Sequence, residues 1–193
     1  MLNKENTIQS LKNNKFKELG DTVLSIDIKE LPFVKKINLR LDPNDKDCVS
    51  SFSKILGTVL PTKSNTYSKN EKIKVIWLGP DEWLIVTDDD TFIKLQNKIE
   101  NLEASVTDVS ENRTIIRIRG KKTYVLLSKF LVLDLEKNLS TDLSCAQTLF
   151  VKVPVLLVRN HYDEIPEIDI FTNRSHANYI YNLIVDGTKN LDF

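Results

Sequence analysis

The 193 residues, 41% hydrophobic and 28% charged, suit an ordinary soluble globular protein and suffice for one large domain or two small halves. Lysine plus arginine and aspartate plus glutamate both number 27, so no whole-molecule field favours nucleic acid or an anionic membrane. The opening residues have no apolar leader core, and the longest apolar runs, such as Val153 to Val158, are far too short to span a bilayer.

Residues 1–32 are rich in Lys and Asn. Ile8, Leu11, Phe16 and Leu19 show a faint helical period, and Val23 to Ile28 alternates like a strand or an arm lying on another surface. The compact domain is expected over 33–190. Val34 to Leu41 reads as a strand. Asp42 and Asp45 precede a helix through Val49, Phe52, Ile55 and Leu56, stopped by Gly57. The polar stretch Pro61 to Lys72 reads as an exposed loop. Lys74 to Leu78 and Trp83 to Thr87 are two strands joined through Gly79-Pro80-Asp81-Glu82, which suits a type I turn. Thr87 and Asp88 can cap a helix carrying Phe92, Leu95, Ile99 and Leu102, and Ala104 to Val109 follows as a strand. The order is βαββαβ, a ferredoxin-like split-βαβ unit.

A second half repeats the plan. Arg113 to Arg119 is a strand, and Lys121 to Phe130 a helix offering Tyr124, Val125, Leu127 and Leu131 for burial. Ala146–Val151 and Val153–Arg159 make a hairpin-like pair, Ile168–Phe171 a strand, and Arg174–Val185 a helix. Trp83 to Thr87 before one helix resembles Ile168 to Thr172 before another. The fold class expected is α+β: two split-βαβ halves, about 33–110 and 111–190, with mixed or antiparallel sheets and helices on one face.

Chemistry is mostly absent. The five glycines, at 20, 57, 79, 120 and 187, never approach G-x-G-x-x-G or phosphate-loop spacing, and no G-x-S-x-G elbow occurs. No catalytic, cofactor-binding or metal residue is therefore assigned. Cys48 and Cys145 have no CxxC or histidine-spaced partner and read as reduced, buried thiols of a cytoplasmic protein. Asp88-Asp89-Asp90 reads as dipole complementarity at a helix start, His161 as a surface-loop residue, and His176 as a helix-surface or packing residue. Arg113, Arg117 and Arg119 share one face of their strand. Three readings stay open for them: a solvated face, a subunit contact, or a small-anion site. Trp77 and Trp83, beside the turn, read as core or interface.

The wording of several segments resembles the γ subunit family of heterotetrameric sarcosine oxidase. The segments are Leu31-Pro32-Phe33 with Ile37 to Pro43; Leu60-Pro61 with Asn65-Thr66; Trp77-Leu78-Gly79-Pro80-Asp81-Glu82-Trp83-Leu84; Val106-Thr107-Asp108-Val109-Ser110; and Arg113-Thr114. Asp134-Leu135, Cys145-Ala146-Gln147-Thr148, Val155 to Leu157 and Arg174-Ser175 continue it, in order over about residues 31–185. Asn112 departs from the family, which commonly has glycine there, and the N-terminal arm matches poorly.

The resemblance implies a fold similar to aminomethyltransferase and YgfZ proteins. It also implies α, β and δ partner subunits that hold FAD, FMN, NAD and zinc and use tetrahydrofolate. The assembly would oxidise sarcosine to glycine, hydrogen peroxide and formaldehyde or methylene-tetrahydrofolate. This chain would be a non-catalytic structural subunit, with the arm and the Arg113, Arg117, Arg119 face, together with Trp77 and Trp83, as subunit contacts. The rival readings are a freestanding folate-binding protein of aminomethyltransferase type and the equivalent subunit of an oxidase for another secondary amine.

Overall fold

The computed structural model describes residues 7–8, 26–87, 90–99, 102–160, 165–189 and 191. The faint helical period through Leu11, Phe16 and Leu19, the acidic pair Asp88-Asp89 and the segment around His161 lie outside the described residues, as do the side chain of Ile99 and the Val23–Ser25 half of the Val23–Ile28 alternation. The chain divides into two compact units. One comprises Met1–Phe33, Asn112–Asp142 and Ala146–Phe193; the other comprises Val34–Glu111 and Leu143–Cys145.

In the Val34–Glu111 unit, strand β2 (Lys35–Leu41; β1 belongs to the other unit) leads into helix α1 (Lys46–Leu56). Asp45 caps α1 by accepting from the amides of Asp47 and Cys48, at 3.1 and 2.9 Å. Gly57 ends it in the left-handed region at φ 63°, where a side chain would be strained. The buried stripe Cys48, Phe52, Leu56 is spaced by four, as an amphipathic helix requires. Strands β3 (Tyr67–Lys69), β4 (Ile73–Gly79) and β5 (Glu82–Thr87), helix α2 (Thr91–Ile99) and strand β6 (Ala104–Asp108) follow. All pairings are antiparallel, in the order β3-β4-β5-β2-β6. The last four strands have the ferredoxin-like arrangement expected of this element order. Ile37, Leu39, Val75, Trp83 and Ile85 on one sheet face pack with Cys48, Phe52, Leu56 and Leu95 from the helices.

The polar segment Pro61–Lys72 is not a plain loop. Its residues Tyr67 to Lys69 form β3, pairing Tyr67 with Ile76 and burying the tyrosine. Polar neighbours on both sides hide this three-residue edge strand from any periodicity argument.

The other unit holds β1 (Asp27–Leu31), β7 (Arg113–Arg119), the short helices α3 (Thr123–Ser128) and α4 (Leu135–Asn138), and all of β8 (Cys145–Phe150) but its first residue. It continues with β9 (Val153–Arg159), β10 (Glu167–Asn173), a 3-10 turn over Arg174–His176 and α5 (Ala177–Thr188). Its order is β8-β9-β10-β7-β1. Position for position this matches the first sheet, and β10 stands where β5 stands there. The place taken by β6 in one sheet is taken in the other by β1, which runs antiparallel to β7 from Asp27 opposite Arg119 to Leu31 opposite Ile115. The segment set apart in the sequence as an arm thus carries an edge strand. Ile8 is buried in the same core, and the amides of Thr7 and Ile8 donate to the Glu30 carboxylate at 3.1 and 3.2 Å.

Three details differ from expectation. The helix expected over Lys121–Phe130 spans only Thr123–Ser128, and it buries Leu126 and Leu127 while Val125 is exposed. With under two turns of helix, the buried arc is set by the residues meeting α5 and not by a long stripe. Helix α4, capped by Asp134 through the Lys137 amide, is too short to show a period. The last helix begins with a 3-10 turn and runs three residues beyond Val185. Within it Gly187 is closely packed: a Cβ there would lie 2.7 Å from the Phe130 ring and 2.9 Å from Leu126 Cδ1, so a side chain would force those two to shift.

Candidate partner-contact site

The tryptophan hairpin is tied down from both sides. Trp77 pairs with Trp83 and Gly79 with Glu82, with a register shift between them at the turn. The two turn carboxylates reach back to β2: Arg40 Nη2 donates to Asp81 Oδ2 at 2.5 Å, and Asn38 Nδ2 to Glu82 Oε1 at 2.7 Å. The hydrogen bond and charge of Arg40 hold the Asp81 carboxyl below its ordinary range. Trp83 is a core residue of its own unit, and its indole N–H donates to the Pro61 carbonyl at 2.8 Å. That buried donor–acceptor pair leaves Trp83 no face for a partner or a pterin. Trp77 is half-buried and keeps an outer edge.

The Thr107-Asp108-Val109-Ser110 segment closes the end of β6. Ser110 Oγ accepts the Lys36 amide at 3.0 Å, the Val109 amide donates to the Lys36 carbonyl, and the Ser110 amide donates to Asp108 Oδ1 at 2.8 Å. Partial burial works to raise the Asp108 carboxyl, but the Ser110 hydrogen bonds and the charges of Lys35 and Lys36 outweigh it and leave it lowered. Each group here serves the fold.

The arginines of β7 do share a face, but they are not equivalent. Arg117 lies between Lys29 and Asp169 in the ladder. Its Nε and Nη2 donate to the two oxygens of buried Asp169 at 2.6 and 2.9 Å, and its Nη1 lies 3.3 Å from Glu167. Burial works to lower the guanidinium's pKa, while the Asp169 hydrogen bonds and the two carboxylate charges raise it above the usual value. The fork of Arg117 is therefore engaged inside its own unit. Arg119 is exposed, with Asp27 and Glu167 opposite it in the ladder. Arg113, at the other end of the strand opposite Asn173, borders a cavity of about 170 Å³.

Three polar residues went unnoticed in the sequence. Asp169 signals itself only as an acid set between Ile168 and Ile170. Glu30 is buried and also accepts from Thr114 Oγ1 at 2.7 Å. Arg159 is buried, with Nη1 on the Tyr124 hydroxyl and on the Leu139 carbonyl. Half-buried His176 stands at the start of α5 and touches no other element's carboxylate by any hydrogen bond among the described residues. No described group of three His, Cys, Asp or Glu is placed to hold a metal, and no described helix is long and apolar enough to cross a membrane.

Cys48 and Cys145 are both buried. Burial pushes the Cys145 thiol up to about 12. An unfolded thiol ionises near 9, so between these limits the unfolded chain binds fewer protons than the folded one, and stability falls as pH rises. Below pH 9 the contribution is intact; by pH 12 the loss reaches about 4 kcal/mol. Urea unfolding at stepped pH is expected to show this alkaline decline, and Cys145→Ala to flatten it.

A sequence profile described as "Sarcosine oxidase, gamma subunit family" matches residues 40–190. Sarcosine oxidase subunit gamma of Corynebacterium sp. (strain P-1) is 26% identical over 144 residues, covering 72% of this chain and 70% of that protein. The same subunit from an Arthrobacter species is 26% identical over 143 residues, with the same coverages. Among solved structures, a chain of the heterotetrameric sarcosine oxidase from Corynebacterium sp. U-96, in complex with pyrrole 2-carboxylate, superposes with a TM-score of 0.81 at 21% identity, covering 90% of this chain and 88% of that one. The glycine cleavage system aminomethyltransferase T from Bartonella henselae superposes at 0.64 and 13% identity, over 83% of this chain but 45% of its own. The two structural likenesses establish a shared fold.

Proposed function

Because this chain belongs to the sarcosine oxidase gamma subunit family, we propose that it works as the structural subunit of a heterotetrameric oxidase acting on sarcosine. The observation that carries the reading is the family match over residues 40–190, supported by the aminomethyltransferase-like fold of the same region. The chain performs no chemistry of its own. Its partners are α, β and δ subunits, on which FAD, FMN, NAD and zinc reside and where tetrahydrofolate accepts the one-carbon unit, in the cytoplasm.

The glycines of this chain do not fit a dinucleotide. A dinucleotide needs a glycine-rich turn that lets backbone amides approach the phosphates, and the glycines here are scattered singly. What the chain supplies is contact surface. Its contacts are made by the N-terminal segment 1–32, the exposed Arg119, and the half-buried Arg113 and Trp77. Arg117, held by Asp169, acts by keeping that sheet in register. Affinity purification of the tagged chain from its native source tests the reading: recovery with flavin-carrying polypeptides supports it, and recovery alone overturns it.

A further inference from the structure

We propose that the cavity beside Arg113 binds a carboxylate carried on a small apolar body. Leu156 and Phe171, opposite one another on β9 and β10 and buried, lie on the same sheet face as Arg113, and Pro154 and Val155 add further apolar lining to the cavity. Its rim is neutral and polar, formed by Gln147, Thr148 and Asn173. Arg113 is the one charged side chain among the described lining residues.

Each feature constrains the ligand. A guanidinium offers paired N–H donors in a plane that matches the two oxygens of a carboxylate. Arg113 takes part in further interactions within the protein, and a bound carboxylate would share the guanidinium's five donors with them. The neutral amide and hydroxyl groups of the rim can satisfy a carboxylate's remaining lone pairs without adding charge. No described acidic side chain lines the space, so an ammonium group entering with the carboxylate would lack a counter-charge. Zwitterionic amino acids are thereby disfavoured. The volume of about 170 Å³ suits a body the size of one ring, since a cavity of ~150 Å³ holds a benzene. Arg117 cannot serve the same purpose, because Asp169 already occupies its fork.

Two sources carry this chemistry: a free small monocarboxylic acid, or the acidic residue of another polypeptide. Benzoate probes both. In a ¹⁵N NMR titration of the full chain, benzoate is expected to shift the amides of Thr148 and Asn173 and the Arg113 Nε–H saturably. Arg113→Gln should weaken binding about tenfold or more, Arg113→Lys should fall between, and Arg119→Gln should match the parent. Shifts that never saturate overturn the proposal. So do unchanged affinities in both Arg113 variants, each shown folded by its own spectrum, and so does glycine binding as well as benzoate. Calorimetry on the assembled complex then separates the sources. Benzoate binding to the complex that Arg113→Gln removes assigns the site to a free acid, and absence of any Arg113-dependent binding on assembly assigns it to a partner's carboxylate. The titration of the isolated chain reads the cavity alone, so its failure leaves the subunit assignment standing.

Discussion

Asp169→Ala is expected to lower the unfolding free energy by about 3 kcal/mol, among the largest single-residue effects in the chain. The carboxylate is buried in the middle of β10 and meets Arg117 through two hydrogen bonds of 2.6 and 2.9 Å. Removing it leaves a desolvated guanidinium whose remaining partner, Glu167, reaches only Nη1. The side chain of Arg117 keeps 24% of its surface exposed, which places the loss toward the lower end of the range for breaking a buried pair. The double variant Arg117→Met, Asp169→Leu should recover most of the loss, because apolar groups of similar volume remove the unpaired charge. Equilibrium urea unfolding of the three proteins measures both values. A double variant as unstable as Asp169→Ala would show that shape and not charge pairing dominates there.

Trp83→Ala should cost about 4 kcal/mol, and Trp83→Phe about half of that. Alanine opens a void where the indole packs among Ile37, Leu39, Phe52 and Ile85, the core of the Val34–Glu111 unit. Phenylalanine refills most of the space but leaves the buried Pro61 carbonyl without its donor at 2.8 Å. Both tryptophans of the chain lie in this unit, so Trp77 fluorescence still reports unfolding in the variants. Equal losses in the two variants would assign the effect to the hydrogen bond; a harmless alanine would contradict the core placement of Trp83.

These two sites also mark where local sequence signals stop. Helix α1 was legible because three independent signals agree: the Asp45 cap, the spacing of Val49, Phe52, Ile55 and Leu56, and Gly57 at a left-handed stop, although the structure buries Cys48 in place of Val49 and Ile55. The strands β2, β5, β7 and β10 were legible through alternating or β-branched runs. The tryptophan hairpin was legible through Pro80 and Asp81 at its turn. Strand β3 was not, since only Tyr67 of its three residues is a strong strand former and its flanks are polar.

Nothing near Asp27–Leu31 announces that it completes the sheet of residues more than eighty positions away. The same holds for the arginines. Their shared face follows from a period of two, but which of them is engaged depends on what the neighbouring strand places opposite. Asp169 opposite Arg117 and Asn173 opposite Arg113 are facts of register, and register is set by the sheet as a whole. Val125 shows the limit for short helices, whose buried arc is chosen by the neighbours they meet.

The subunit assignment stands or falls on native mass spectrometry of the complex purified through this chain. One copy of the chain is expected, bound with flavin-carrying α and β subunits and a δ subunit, in a complex that consumes sarcosine. A chain that stays alone, or a sarcosine-oxidising complex that assembles fully without it, would refute the assignment.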